Sequence, residues 1–370
     1  MKKIQIHTQS RSYPVLIGVG LGDHLSRLLS KHVAAGRLFV FIDANVFALQ
    51  GKRLVASINV SRNRRLEFVV PSGESTKSEA VLSGLYDFLL DHGVNRDDLI
   101  LACGGGVTSD LVGYAAATVL RGVRWGVVPT TLLSMADASI GGKTGINQSR
   151  GKNLIGAFWQ PSFVCSDASF LLTLPERHMI AGLGEIAKVA GLSGKGAVRV
   201  LEQYLDNDEL CDLSKLVKLI YSAATYKAAI VNRDERDAGA RLVLNLGHTF
   251  AHGIERALGY GRLLHGEAVI IGIDGALTLG KKLGYRSAGL QAYHDLVIRF
   301  MCRLPKRKIN ADEVIEAMQY DKKRELSYLR FVLLERVGRP VIRERIEKAR
   351  IRASLEETLE RYQSVGGSHV

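Results

Sequence analysis

A β-rich run, DLILA at Asp98–Ala102, leads through Cys103 into three consecutive glycines, Gly104 to Gly106, and then into a helical run, LVGYAAATVL, from Leu111. A strand that turns through glycine into a helix is the opening move of an α/β unit. With no side chains in the way, glycine amides can approach a phosphate closely, and the helix N-terminus behind them adds positive dipole. Ser109 or Asp110 is placed to cap that helix. The run is not GxGxxG, so the dinucleotide fingerprint is absent, and a plain strand-to-helix turn would use the same glycines.

The first half of the chain repeats this alternation. Ile4–His7 and Tyr13–Ile17 read as strands before a helix at Leu21–Lys31. RLFVFI at Arg37–Ile42, RLEFVV at Arg65–Val70 and RWGVVP at Arg124–Pro129 read as further strands, and Lys77–His92 as a helix with apolar residues at helical spacing. Strands separated by helices imply a parallel α/β sheet. From about Leu174 the segments lengthen and turn helical, with Pro175 and Glu176 as a helix start. Leu213–Arg233 carries one apolar face. The expected organisation is therefore an α/β domain at 1–176 with a parallel Rossmann-like sheet, and a mostly α-helical domain at 177–370. The basic stretch from Lys322 to Arg352 is mixed with glutamates and reads as a solvated helix face. Val365 to Val370 are expected to fray.

Composition narrows the function classes. Charged residues are 24% and hydrophobic residues 46%, as in ordinary globular proteins. No apolar run approaches the ~18 residues of a membrane span, and MKKIQIHTQS lacks the apolar core of a signal peptide. Four cysteines without CxxC spacing fit reduced thiols in a cytoplasmic enzyme. The net charge of +13 favours anionic ligands. The basic residues are dispersed, with no basic arm and no RNA-binding aromatic signature, so phosphorylated small molecules are expected rather than nucleic acid or membrane.

Within NLGHTFAHGIERALGYGRLLHGE, Asn245 to Glu267, His248 and His252 lie four apart, on one face if helical, and His265 opens a second helical run. Converging histidines suit a metal such as zinc. The HExxH pattern fails because Thr249 follows the first histidine, and three histidines brought close by chance would look the same. Asp43, ending a strand, could accept from ribose hydroxyls or serve only a turn. Lys143 and Lys152 sit in a Gly- and Asn-rich stretch, IGGKTGINQSRGKNLI, where lysines are well placed to meet phosphate.

Taken in order, GGGVTSD, RGVRWGVVPTTLLSMADASIGGKTGIN, GKNLIGAFWQP, LPERHMIAGLGEIAK, NLGHTFAHGIE and LHGEAV resemble the 3-dehydroquinate synthase family, from about Asp43 to Asp321. The resemblance implies a dehydroquinate synthase-like fold and a zinc (or cobalt) ion held by Glu185, His248 and His265, with His252 as an acid/base or phosphate contact. It implies NAD at Asp43, at Ser72, Gly73, Glu74, Ser75, Thr76 and Lys77, and at Gly105, Gly106, Val107, Thr108, Ser109 and Asp110. The same cofactor set continues with Thr130, Thr131, Lys143, Lys152, Phe170, Leu171, Leu172 and Thr173. Substrate contacts map to Asp137, Lys143, Asn153, Lys188, Lys227, Arg241, Asn245 and one of Lys322 or Lys323. Arg121 matches a position supplied by the second subunit of a homodimer.

In this family the substrate is 3-deoxy-arabino-heptulosonate 7-phosphate. Transient oxidation by NAD, phosphate elimination, re-reduction and aldol closure give 3-dehydroquinate. Another sugar-phosphate cyclase making a different cyclitol, or an inactive basic binding protein on this scaffold, are the competing readings. The chain departs from the family pattern at three places. Ser109 replaces a glycine, which strains the turn if that position needs positive φ. Asp237, a candidate acid/base group, replaces a glutamate and is shorter by one methylene. Small residues also crowd around Glu185.

Overall fold

The computed structural model describes every residue except 34–35, 207–209, 260, 326–327 and 366–370; side chains at 320–325 are likewise not described. Most of the expected fraying at Val365 to Val370 thus lies outside the described residues. By contacts the chain forms two compact units, Met1–Leu174 with Cys211–Arg236, and Pro175–Leu210 with Asp237–Val370.

The first unit opens with the hairpin β1 (Lys2–His7) and β2 (Ser12–Gly18), then α1 (Gly22–His32). Next come β3 (Leu38–Asp43), α2 (Ala44–Ala56), β4 (Arg65–Val70), α3 (Glu79–Asp91), β5 (Leu99–Gly104), α4 (Gly106–Thr118) and β6 (Arg124–Pro129). The Gly- and Asn-rich stretch folds as an antiparallel hairpin, β7 (Lys143–Gln148) with β8 (Gly151–Phe158), before β9 (Val164–Asp167). The large sheet has seven strands in the order β1-β2-β9-β6-β5-β3-β4, parallel except for β1 against β2. All of β5 and all but the last residue of β3 are buried, which is why both read as continuous apolar runs. From β3 the chain steps to β4 on one side and to β5 on the other. The topological switch therefore lies between the carboxyl ends of β3 and β5, where sheets of this type take their ligands.

The rest of the chain supplies α5 (Glu176–Ser193), α6 (Lys195–Leu205), α7 (Leu213–Arg233), α8 (His248–Leu258), α9 (His265–Lys282), α10 (Ala288–Met301) and α11 (Ala311–Glu325). The hairpin β10 (Phe331–Arg336) with β11 (Arg339–Arg343) and the helix α12 (Lys348–Ser364) complete it. A cut at 176/177 places α7 in the helical half, yet its apolar face packs on β1 and β2 and its segment belongs to the first unit. The expected helix face at Lys322–Arg352 is also corrected. Phe331 to Leu334 are four consecutive buried residues, a β run rather than a helical stripe, and Gly338 at φ 81° turns the chain into β11.

In the second unit α9 is buried from Gly266 through Gly280 and packs against α5, α8, α10, α12 and β10. A helix buried on all sides belongs at the centre of its domain. Two of its glycines let other backbones touch it. A Cβ on Gly266 would lie 1.8 Å from the Ala181 carbonyl oxygen of α5, and one on Gly272 would lie 2.1 Å from the carbonyl oxygen of Gly247, just before α8.

Candidate active site

Those two close approaches assemble a cluster. Glu185 follows Gly184, whose own Cβ would meet the Gly266 carbonyl oxygen at 2.3 Å, and His265 precedes Gly266. The small residues around Glu185 are thus what lets α5 and α9 touch. Gly247, at φ 79°, begins α8 and sets His248 beside them. Glu185 Oε1 lies 3.3 Å from His265 Nε2 and 3.8 Å from His248 Nε2. The three ligand atoms all fall within 4.8 Å of one another, a span one cation can bridge. One carboxylate and two imidazoles match the donor set of catalytic zinc sites, which keep a position open.

Electrostatics around the cluster are polarised. Glu185 is 2% exposed. Burial alone pushes its carboxyl up, but the Lys188 ammonium, 2.5 Å away, and the two imidazoles hold it well below the ordinary carboxylate range. Burial, reinforced by Lys188, keeps His248 well below its usual value and so neutral, as a ligand must be. Burial also disfavours charge on His265, yet hydrogen bonds to Glu185 and Glu255 carry it up to about 10, so a cation held here would have to displace a proton from this ring. His252 is exposed, its ring centroid 5.5 Å from that of His248 and 6.0 Å from that of His265. Arg177 clamps the buried Glu267 through Nε to Oε1 at 2.7 Å and Nη2 to Oε2 at 2.8 Å, pinning the start of α9 to α5.

Of the other sequence-selected residues in this unit, Lys188 and Arg241 are buried and Asn245 is exposed. Asp237 sits at φ 58°, a left-handed position that aspartate tolerates better than most residues. The side chains of Lys322 and Lys323 fall outside the described residues.

The first unit gathers a second set at the topological switch. Asp43 ends β3 and caps α2, accepting from the Asn45 amide at 2.9 Å, the Val46 amide at 3.3 Å and the Ser72 hydroxyl at 2.8 Å. Thr108 Oγ1 lies 3.5 Å from its other oxygen, so the glycine turn and Asp43 adjoin. The helix after the glycines begins earlier than expected. Gly105 is its N-cap, and Ser109 and Asp110 lie within its first turns instead of capping it. The reason is that Gly104 and Gly105 complete the turn by themselves, with the Gly104 carbonyl accepting from the Thr130 amide at 2.9 Å. Ser109 therefore has no positive φ to suffer; its hydroxyl donates to the Gly106 carbonyl at 3.0 Å.

Gly73 turns the Ser72–Lys77 segment at φ 103°, and Glu74 to Thr76 form a 3₁₀ turn. Lys77, 4% exposed, donates to Asp110 at 2.7 Å and to Asn153. Burial raises the Asp110 carboxyl, and Lys77 opposes that rise. Thr131 Oγ1 accepts from the Ser134 amide at 3.2 Å. Phe170 to Thr173 lie in a 3₁₀ turn to which Gln50 donates, 3.1 Å to the Phe170 carbonyl and 2.6 Å to the Thr173 hydroxyl. Lys227 on α7 donates to the Asp137 carbonyl at 2.7 Å and pairs with its carboxylate at 2.9 Å. Lys143, on β7, and Arg121 are exposed, and Lys152, on β8, is half-buried. Glu255 was missed by motif reasoning, although it lies seven residues after His248 on the same helical face, a spacing that could have revealed it.

A glycine-turned parallel sheet with charged groups at its switch point, in one chain with a buried carboxylate–imidazole cluster, marks an α/β enzyme carrying both a nucleotide-type site and a metal-type site. Family models described as 3-dehydroquinate synthase N-terminal and C-terminal match residues 67–181 and 182–324. A 3-dehydroquinate synthase from Pseudomonas syringae pv. syringae is 39% identical over 96% of both chains, and one from Rhodospirillum rubrum is 41% identical over 93% of this chain and 92% of its own. Among solved structures, 2-epi-5-epi-valiolone synthase from Streptomyces hygroscopicus, with NAD+ and Zn2+ bound, shares 29% identity at a TM-score of 0.83, covering 96% of this chain and 99% of its own. A 2-deoxy-scyllo-inosose synthase complexed with carbaglucose-6-phosphate, NAD+ and Co2+ shares the fold at a TM-score of 0.83, with 23% identity and coverage of 96% and 100%. The chain belongs to the 3-dehydroquinate synthase family.

Proposed function

We propose that the chain works as a 3-dehydroquinate synthase, a carbon–oxygen lyase of the shikimate pathway that turns 3-deoxy-arabino-heptulosonate 7-phosphate into 3-dehydroquinate and phosphate. The observation that carries this is identity of 38–41% to enzymes of that name over nearly the full length. NAD is assigned to the first unit, at the β3–β5 switch, and zinc or cobalt to Glu185, His248 and His265. When bound, the pair supplies Lewis acidity at a substrate hydroxyl and a hydride acceptor.

The chain's own residues bind and orient. Lys227 is held rigid by its two contacts to Asp137, so its ammonium is pre-aimed rather than free to wander. Lys188 and Arg241, both buried, offer their positive charge to the substrate's carboxylate and phosphate. His252, exposed beside the ligand histidines, can exchange a proton or contact phosphate. Asp237 is the remaining acid/base candidate.

A homodimer is part of this reading. Leu120 and Arg121 both have positive φ, 50° and 63°, which holds Arg121 outward. Exposed Phe158 lies one residue from Trp159, which packs under Gly122. Strained backbone and apolar surface at one place support a subunit contact through which Arg121 reaches a partner's site. No helix among the described residues is long and apolar enough to cross a membrane, and a cytoplasmic location suits a biosynthetic role.

The test is incubation of the purified protein with the heptulosonate phosphate, NAD and zinc. Release of phosphate and dehydroquinate in equal amounts is expected; absence of phosphate release removes the assignment.

A further inference from the structure

We propose that Glu255 is a positioning residue for the metal centre: it fixes the ring of His265 so that Nε2 faces Glu185 and His248. This rests on the reading that those three residues hold a metal. Glu255 is 4% exposed, and its Oε2 lies 3.0 Å from His265 Nδ1. An ionised carboxylate can only accept, so Nδ1 is the donor and keeps its proton, and Nε2 is the nitrogen left to present a lone pair once a cation displaces its proton. That nitrogen lies 3.3 Å from Glu185 Oε1, within the ligand cluster.

The two imidazole ligands are oriented by different means. His248 Nδ1 lies 3.3 Å from the Leu246 carbonyl, so its orientation comes from the main chain, which no side-chain substitution removes. The orientation of His265 depends on one side chain. That side chain sits on α8, the helix that also carries His248, so a single helix supplies one ligand and the support of another. A buried anion one bond behind the imidazole also makes the ring a better donor to a cation.

Glu255 also falls within 4.8 Å of His252 and His265 as a second possible ligand group. A cation there would have to take Nδ1 of His265 from its hydrogen bond and would depend on exposed His252, whereas Glu185 at 2% exposure belongs to the closed set. The geometry therefore makes Glu255 a support and not a ligand.

The experiment measures zinc dissociation constants by chelator competition on the full-length protein, with visible spectra of the cobalt-loaded form. Glu255→Ala is expected to weaken zinc about 10–100-fold, as loss of an outer partner does. Glu255→Gln keeps an oxygen acceptor for Nδ1 and is expected to fall between the alanine variant and the parent, with the parent's cobalt band shape. If Glu255→Ala does not fold, the near-isosteric glutamine variant carries the test alone by its intermediate affinity. Parental affinity in every Glu255 variant that folds overturns the proposal, as does a loss in Glu255→Gln as complete as in Glu185→Gln, which would make Glu255 a ligand. Undiminished zinc in His248→Ala would instead overturn the metal site itself, and the positioning role with it.

Discussion

The contact between α5 and α9 sets the geometry of the proposed metal site, and Gly266→Ala probes it directly. The added Cβ would lie 1.8 Å from the Ala181 carbonyl oxygen, against a floor of 3.0 Å for real contacts, so the two helices must part by about 1.2 Å. The obstacle is main-chain atoms within a helix, not the end of a flexible side chain, and α9 is buried from Gly266 onward. Overpacking of this kind costs about 1–3 kcal/mol, which for a unit of this size lowers the melting temperature by roughly 3–10 °C. The effect on the metal is larger. Glu185 and His265 each adjoin one of the touching glycines, and metal–ligand distances hold within about 0.2 Å. An opening of about 1.2 Å separates the two ligands by several times that tolerance, so zinc affinity is expected to fall by more than about 100-fold, beyond what loss of an outer partner produces. Gly280→Ala on the same helix is the control, since its Cβ meets nothing closer than 3.5 Å. The assay is zinc content after dialysis together with thermal melting. A Gly266→Ala protein that keeps one zinc and the parental melting temperature refutes the account of how the cluster is built.

Two further outcomes follow from burial and charge. In the native protein Cys211 and Cys302, both exposed, should react with a thiol reagent at pH 8, whereas Cys103 and Cys165 should react only on unfolding, because burial pushes both thiols up, Cys165 to about 12; four fast thiols in the folded protein would contradict this packing. Burial raises the Glu235 carboxyl, but hydrogen bonds from Ser10, Gln160 and Thr8 outweigh it and hold the group below the ordinary glutamate range. A depressed folded value means that the stabilisation is complete above about pH 4.5 and is lost as pH falls through the folded value. The melting-temperature gap between the parent and Glu235→Gln should therefore close on acidification, and an equal gap at pH 7 and pH 3.5 would exclude the mechanism.

Much of the first unit was legible because its signals are local. Strands such as Arg65–Val70 and Arg124–Pro129 are runs whose own residues dictate their state. What escaped depends on partners far away in sequence. Lys143 and Lys152 read as loop lysines because glycines dominate their stretch. Yet Gly145 and Gly156 are there because the facing strand leaves no room: a Cβ on Gly145 would meet the Ile155 carbonyl oxygen at 2.5 Å. The helix α7 reads correctly as a helix, but only its tertiary contacts with β1 and β2 assign it to the first unit. The sequence points to a later start for α4 because hydroxyl and carboxylate groups in its first turns imitate caps, whereas Gly105 is the N-cap.

The metal cluster shows the same division at the scale of single atoms. The sequence pattern exposes His248 and His252 as one face of a helix with His265 opening the next helical run, and the family resemblance adds Glu185. Neither indicates what brings α5, α8 and α9 within bonding range. That information is carried by Gly184, Gly266 and Gly272, residues with no chemistry of their own. Their value lies in the absence of a Cβ where two main chains meet, and in a sequence read one position at a time this is indistinguishable from ordinary helix-weakening glycine. Helix α9 keeps Gly266 and Gly272, and α5 keeps Gly184, despite their cost to helix stability, because a side chain at either contact would keep α5 or α8 from closing on α9. The proposed ligands are thus placed by backbone contact, while the orientation of one of them, His265, is left in this reading to the carboxylate of Glu255.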